Sequence, residues 1–229
     1  MPKRTSSLET AAPLIPESPT LDKLREAAAG CRACPLWQKA TQTVFGEREG
    51  PPGPGPRVMF VGEQPGEEED VAGRPFVGPS GRLLDEALEA AGIDRSQVYV
   101  TNVVKHFKWK EMQGERRIHA KPSAGEIRAC KPWLEAELRV FRPDILVCLG
   151  ATAAQALLGK DFRVTRQRGQ PLHSDHAPVV VATVHPSSIL RAPTEQDRKA
   201  QLRAFIKDLK VVADLLHGVR GGEEASAQL

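Results

Sequence analysis

Four short apolar stretches, each followed by a segment of helical periodicity, constrain this chain more than any other feature of its sequence. The stretches fall at residues 57–62, 97–103, 144–149 and 178–184. Between and after them lie helix candidates. One runs from Thr20 as N-cap to Gly30 as stop, with Leu21, Leu24, Ala27 and Ala28 at helical spacing. The next, at 80–91, repeats Leu83, Leu84, Ala87 and Leu88 and ends at Gly92. A third, at 123–140, opens on Ser123 and Glu126, a capping-box pair that satisfies two free backbone donors. Two more cover 151–158 and 195–217. Strands joined through helices must lie parallel, with helices covering both faces. The expectation is an α/β fold, a three-layer α/β/α sandwich around a central, mostly parallel four-stranded sheet.

A length of 229 residues with 40% hydrophobic and 27% charged residues suits one such domain. The Pro-, Ser- and Thr-rich residues 1–19 predict a disordered tail, 20–217 the domain, and 218–229 a polar tail. Residues 50–56 predict a Pro/Gly surface loop. No stretch predicts a membrane span and the N-terminus lacks an apolar signal core, so a cytoplasmic, monomeric chain is expected. The net charge of +3 decides little, but basic residues gather at 105–121, 160–168 and 191–207, as on a phosphate-facing surface. Any solvated face could carry the same residues.

In an open parallel sheet the working crevice lies beyond the C-terminal ends of the strands. Glu63-Gln64-Pro65-Gly66 follows the first strand and Asn102 closes the second. Gly150-Ala151-Thr152 follows the third, and His185-Pro186-Ser187-Ser188 the fourth. Three of the four exits thus carry a residue able to titrate or to read a base edge. Taken singly, Asn102 could be a turn former, His185 a satisfied histidine and Glu63 a helix-start acid. Their gathering at one rim points to a site.

The blocks Gly62-Glu63-Gln64-Pro65-Gly66, Gly73-Arg74-Pro75-Phe76-Val77-Gly78 and His185-Pro186-Ser187 resemble the signatures of the family-four, iron–sulfur uracil-DNA glycosylases. The resemblance spans about residues 21–217. It implies excision of uracil from DNA, expected to be single-stranded, with uracil as product and no membrane partner. A flipped base must be stacked and read along its edge. The resemblance gives stacking to Phe76, reading to Asn102 and further substrate binding to Gln64. His185 would stabilise the charge on departing uracil, and Glu63 the cationic sugar. Phe76 could instead be a core side chain.

Cys31 and Cys34 form a C-x₂-C pair suited to one metal centre. The family supplies two further cysteines. Cys130 matches one of them, and His106 stands where the other is expected. The resemblance therefore implies a [4Fe–4S] cluster on Cys31, Cys34, His106 and Cys130, with zinc as the alternative. Cys148, within an apolar strand, reads as a buried core thiol.

From His106 to Cys130 the chain also runs long, and the excess holds Gly114-Glu115-Arg116-Arg117-Ile118-His119. That segment is similar to the K-R-R-I-H loop of the UdgX branch, with Glu115 in place of its lysine. In that branch the loop histidine bonds to C1′ after uracil leaves, and His119 is the matching residue. A neutral imidazole is a nucleophile near pH 7. Arg116, Arg117, Ser187 and Arg191 are the expected DNA contacts. Three other readings stay open: a conventional multiple-turnover glycosylase, a module that binds uracil-containing DNA without cutting it, and a nucleotide-binding Rossmann protein. The last is the weakest, since no G-x-G-x-x-G follows the first strand.

Overall fold

A computed structural model describes residues 9–50, 57–113 and 116–226. In chain order its elements are α1 (Leu21–Ala29), β1 (Val58–Gly62), α2 (Glu67–Ala72), α3 (Pro79–Ala91), β2 (Val98–Asn102), β3 (Trp109–Gln113), β4 (Arg116–His119) and α4 (Ala124–Phe141). Then follow β5 (Ile145–Leu149), α5 (Ala151–Leu158), α6 (Val164–Gln167), β6 (Pro171–Ser174), β7 (Ala177–Thr183), α7 (Pro186–Leu190) and α8 (Glu195–Ser226). Residues 51–56 of the expected loop, and Glu115, lie outside the described residues.

The central sheet has the order β2-β1-β5-β7-β6. β2, β1, β5 and β7 are parallel, as the alternation requires, while β6 pairs antiparallel with β7. The sheet is therefore five-stranded rather than four-stranded. β6 spans four residues, begins with proline and has its side chains only partly buried or exposed, so no apolar run marks it. The short helices α2, α6 and α7 and the hairpin β3–β4 were not expected either. α2 is a six-residue helix of mostly acidic side chains, and β3–β4 is a separate antiparallel hairpin inside the insertion.

Alternation along each parallel strand builds the two halves of the core. Met59, Val61, Tyr99, Leu146, Cys148, Val180 and Ala182 face one way, toward α1, α4 and α5. Val58, Phe60, Val98, Val100, Ile145, Val147 and Val181 face the other, toward α3 and α8. The capping signals act as expected. Thr20 Oγ1 accepts from Lys23 N, Ser123 and Glu126 bond reciprocally, and Gly92 ends α3 at φ +78°.

At the ends the chain is more ordered than the expected tails. Ala11 is fully buried, and its N–H donates to Ala129 O at 2.8 Å, which docks residues 9–19 against α4. α8 continues to Ser226, past the stop expected near 217. The remaining tail residues, 1–8 and 227–229, lie outside the described residues. No helix among the described residues is long and apolar enough to cross a membrane.

Candidate active site

The parallel register brings the strand exits to one rim. Gly62 pairs with Asn102, and Leu149 with Thr183. Val104 N donates to Glu63 O at 3.0 Å, and Gly150 N to Thr183 O at 2.8 Å, so the ladder continues into the turns. Above this rim lies a cavity of about 540 Å³, within the range that holds small ligands. Its walls include Gln64, Phe76, Asn102, His119, His185 and Arg191.

Gly62 makes the floor possible. A Cβ there would stand 2.4 Å from Asn102 Oδ1 and 2.8 Å from Phe76 Cζ. Asn102 Oδ1 is buried and has no hydrogen-bond partner. An orphaned acceptor of this kind costs stability, which a ligand donor would recover. Phe76 sits at φ +57°, a sparsely populated region for a residue with a side chain. Gly81 permits this bend, since a Cβ there would overlap Phe76 O at 1.7 Å. The Phe76 ring packs into the α3–α8 half of the core and also stands 6.1 Å from the His185 ring, so it serves both core and cavity.

His185 caps α7. Ser187 N donates to its Nδ1 at 3.1 Å and the Ser187 hydroxyl lies 2.9 Å from the same atom, which leaves the ring proton on Nε2. Removal from bulk water holds its pKa down at about 4, with the charges of Arg191 and His119 adding to the fall. The ring is a neutral donor at pH 7.

His119 ends β4 at the cavity mouth, with 51% of its side-chain surface exposed. Its Nε2 stands 3.9 Å from Glu63 Oε1, too far for a hydrogen bond, and 2.8 Å from Gln64 Nε2. Lys108 N donates to Gln64 Oε1, which fixes the amide with its nitrogen toward the ring. His119 Nε2 therefore carries the lone pair and Nδ1 the proton. Burial lowers the His119 pKa, Glu63 opposes that, and Arg191 lowers it further.

Two of the residues expected to make contacts are engaged within the protein. Gln64, on the cavity wall, turns its amide nitrogen to the base of the hairpin, where its two protons are shared among Lys108 O, Ala120 O and His119 Nε2, so its side chain braces the loop. Arg117, expected on phosphate, turns inward. Its Nε donates to Glu67 Oε1 at 3.0 Å and an Nη to Asp70 Oδ2 at 2.6 Å, while the guanidinium lies 5.2 Å from the Phe107 ring centroid. The acidic start of α2 captures it. Ser187 and Arg191 do line the cavity, and the Arg191 side chain is exposed. Arg116 is described only as a backbone position of β4. Thr152, given no role from sequence, donates its hydroxyl to Glu63 Oε2. A hydroxyl directly after a strand exit was the available signal.

Cys31, Cys34 and Cys130 are buried in the same half of the core. Burial pushes the Cys130 thiol up to about 12, and charge on Cys34 and Cys31 would add to the rise, which marks the three as neighbours. Trp133 Nε1 donates to Cys31 Sγ at 3.3 Å and Lys105 N to Cys130 Sγ at 3.2 Å. Buried sulfurs that receive N–H donors suit thiolate ligands. His106 is buried, and its pKa falls to about 4 through burial. Among the described residues, no three His, Cys, Asp or Glu side chains converge closely enough to hold a single ion. Cys148 is raised to about 12 by burial alone, with no other thiol contributing.

Comparison with known proteins yields a match of residues 49–210 to the uracil DNA glycosylase superfamily model. A type-4 uracil-DNA glycosylase of Thermotoga maritima is 38% identical over 82% of this chain and 95% of its own length. The type-4 enzyme of Sulfurisphaera tokodaii is 36% identical, over 76% of this chain and 77% of its own. That of Archaeoglobus fulgidus is 32% identical, over 86% and 93%.

Proposed function

Because this chain belongs to the uracil-DNA glycosylase superfamily, we propose that it excises uracil from DNA and then bonds to the resulting sugar through His119. Asn102 would read the uracil edge with its unpartnered Oδ1, which accepts from the base N–H, while Phe76 stacks on the ring. The C1′–N1 bond breaks with its electron pair leaving on uracil. The His185 Nε2 proton donates toward the charge that develops on the base, without formal transfer. The sugar is left as an oxocarbenium ion, and the Glu63 carboxylate stabilises it.

The lone pair of His119 Nε2 then attacks C1′ and forms the Nε2–C1′ bond. The ring becomes an imidazolium and releases its Nδ1 proton to solvent, and the uracil anion takes up a proton. Charge and protons balance, and no water is consumed. The observation that carries this step is the placement of Nε2 3.9 Å from Glu63 Oε1, where a cation held by the carboxylate would lie within reach. Arg191, with Arg116, would contact flanking phosphates of a single-stranded substrate.

The donor chemistry of Cys31, Cys34 and Cys130 fits a thiolate-held centre, and these residues with His106 would hold a [4Fe–4S] cluster. Such a cluster would tie α1 and the β2 exit to α4, and no redox step is assigned to it.

A second reading, ordinary turnover, is favoured by one feature: Nε2 already touches Gln64, and that contact must open before attack. A denaturing gel separates the two. The protein is incubated with a uracil-containing oligonucleotide, boiled in detergent, and run beside His119→Ala. A heat-stable shifted band absent from the variant is the expected result. Abasic product without a band from the unaltered chain establishes ordinary turnover, and intact uracil DNA leaves only binding.

A further inference from the structure

We infer that Thr152, at the strand exit where sequence reading assigned no chemistry, is a positioning residue that fixes which oxygen of Glu63 faces the reacting sugar. The inference rests on the glycosylase reading above. Thr152 is the second residue of α5, immediately beyond β5. Its surroundings are rigid. β5 lies between β1 and β7, the Gly150 N–H is bonded to Thr183 O, and Gly150 adopts φ +88°. A Cβ at Gly150 would approach His185 Cβ at 3.0 Å, so the start of α5 is seated directly against the His185 turn. Thr152 itself is buried, and its β-branched side chain has few rotamers.

A carboxylate only accepts, so the Thr152 hydroxyl must donate to Glu63 Oε2. Terminal carboxylate torsions are otherwise broad and two-fold, and an unheld Glu63 would present either oxygen at varying angles. With Oε2 bound, Oε1 is the oxygen directed toward His119 Nε2. The same oxygen then stabilises the cation during cleavage and lies beside it when the next nucleophile attacks. Glu63 thus draws its backbone position from β1 and its side-chain orientation from the β5 exit.

Thr152→Val keeps the shape and removes the donor, while Thr152→Ser restores it. Single-turnover uracil release is measured with enzyme in excess, alongside the Kd for the same oligonucleotide. Thr152→Val should release uracil about 100-fold more slowly, the loss typical of a reacting group misplaced by about 1 Å. Its Kd should stay within about threefold, since binding does not use the oriented oxygen, and Thr152→Ser should return to within about threefold of the unaltered rate. Wild-type release by Thr152→Val overturns the inference. So does a matching loss of affinity that serine fails to restore, because Thr152 would then only shape the cavity. If the unaltered chain releases no uracil, the glycosylase reading itself fails and takes this one with it, an outcome visible in the control alone. The excision rate decides the matter whether or not an adduct forms.

Discussion

The rim of the parallel sheet and the hairpin that leans over it hold their functional side chains by different means. At the rim, Glu63 and His185 follow β1 and β7, each paired on both sides, Asn102 closes the buried edge strand β2, and backbone bonds such as Val104 N to Glu63 O carry the ladder into the turns. The β3–β4 hairpin forms a two-stranded sheet of its own and, among the described residues, pairs with no strand of the central sheet. Ile118 is 43% exposed there, and His119 depends on side-chain ties: Gln64 at the hairpin base and Arg117 on α2. In the proposed reaction, base reading and bond cleavage would rest on the stiff part. The proposed covalent capture would rest on the part that a few polar contacts hold. Damage to the rim should therefore remove both activities, and damage to the hairpin ties should remove capture first.

The largest effect is expected from Gly62→Ala. The new methyl carbon would fall 2.4 Å from Asn102 Oδ1 and 2.8 Å from Phe76 Cζ, closing the floor of the cavity. Overpacking of this kind costs roughly 1–3 kcal/mol of stability, and displacement of the reading groups should slow uracil release by on the order of 100-fold or more. Single-turnover kinetics with a denaturation curve would check this. Near-normal release by this variant would mean that the cavity floor is more yielding than the hairpin, reversing the comparison.

Arg117→Gln probes the hairpin. It leaves Asp70, which is fully buried, with only Thr41 N as a partner, and frees β4 from α2. Capture should fall by about 10-fold relative to excision, since the nucleophile loses its fixed placement while the rim keeps its own. Adduct and free abasic product, quantified in one reaction, give the ratio. Equal loss of both would show that the hairpin also shapes base reading.

Much of the rim was readable from the sequence because parallel strands obey a period. Apolar runs bounded by turns mark β1, β2, β5 and β7, and the residues after each run must meet at one edge. The hairpin offered no such period: its residues are mostly polar or charged, and α2 reads as a string of acids. The resemblance to the K-R-R-I-H loop places Arg117 on phosphate, and the sequence shows no partner for it within the protein. Its partners, Glu67 and Asp70, lie 50 and 47 residues away, and only the fold brings them together. The same holds for Thr152 and Glu63, 89 residues apart. Backbone periodicity is a local property, whereas side-chain pairing across the fold is not.

Acidity should sharpen the contrast by a smaller, severalfold amount. His119 is faced by Glu63, Gln64, Phe107, Arg191 and His185, and its pKa lies below the ordinary 6.5 because burial and Arg191 outweigh Glu63. A base with a pKa below 6.5 is still more than half neutral at pH 6.5. His185 remains a neutral donor down to about 4. The captured fraction should therefore fall with acid at a midpoint below pH 6.5, before excision itself weakens. A midpoint above 6.5 would contradict the direction of the His119 shift.

The smallest effect is expected at Arg191, which lies on the cavity wall but outside both the ladder and the hairpin ties. Its side chain is exposed, so Arg191→Ala should leave stability nearly unchanged. If it contacts one phosphate, the slope of log K against log salt should become shallower by about one unit, equally for uracil-containing and uracil-free strands. The same charge depresses both histidines, so its removal should also let the His119 pKa rise and bring the loss of capture to a higher pH. Salt titration reads the first consequence and the pH profile of capture the second. An unchanged salt slope with a shifted profile would assign Arg191 to tuning the imidazoles alone. A changed slope with an unshifted profile would place it on the DNA path, too far from His119 in the complex to be felt.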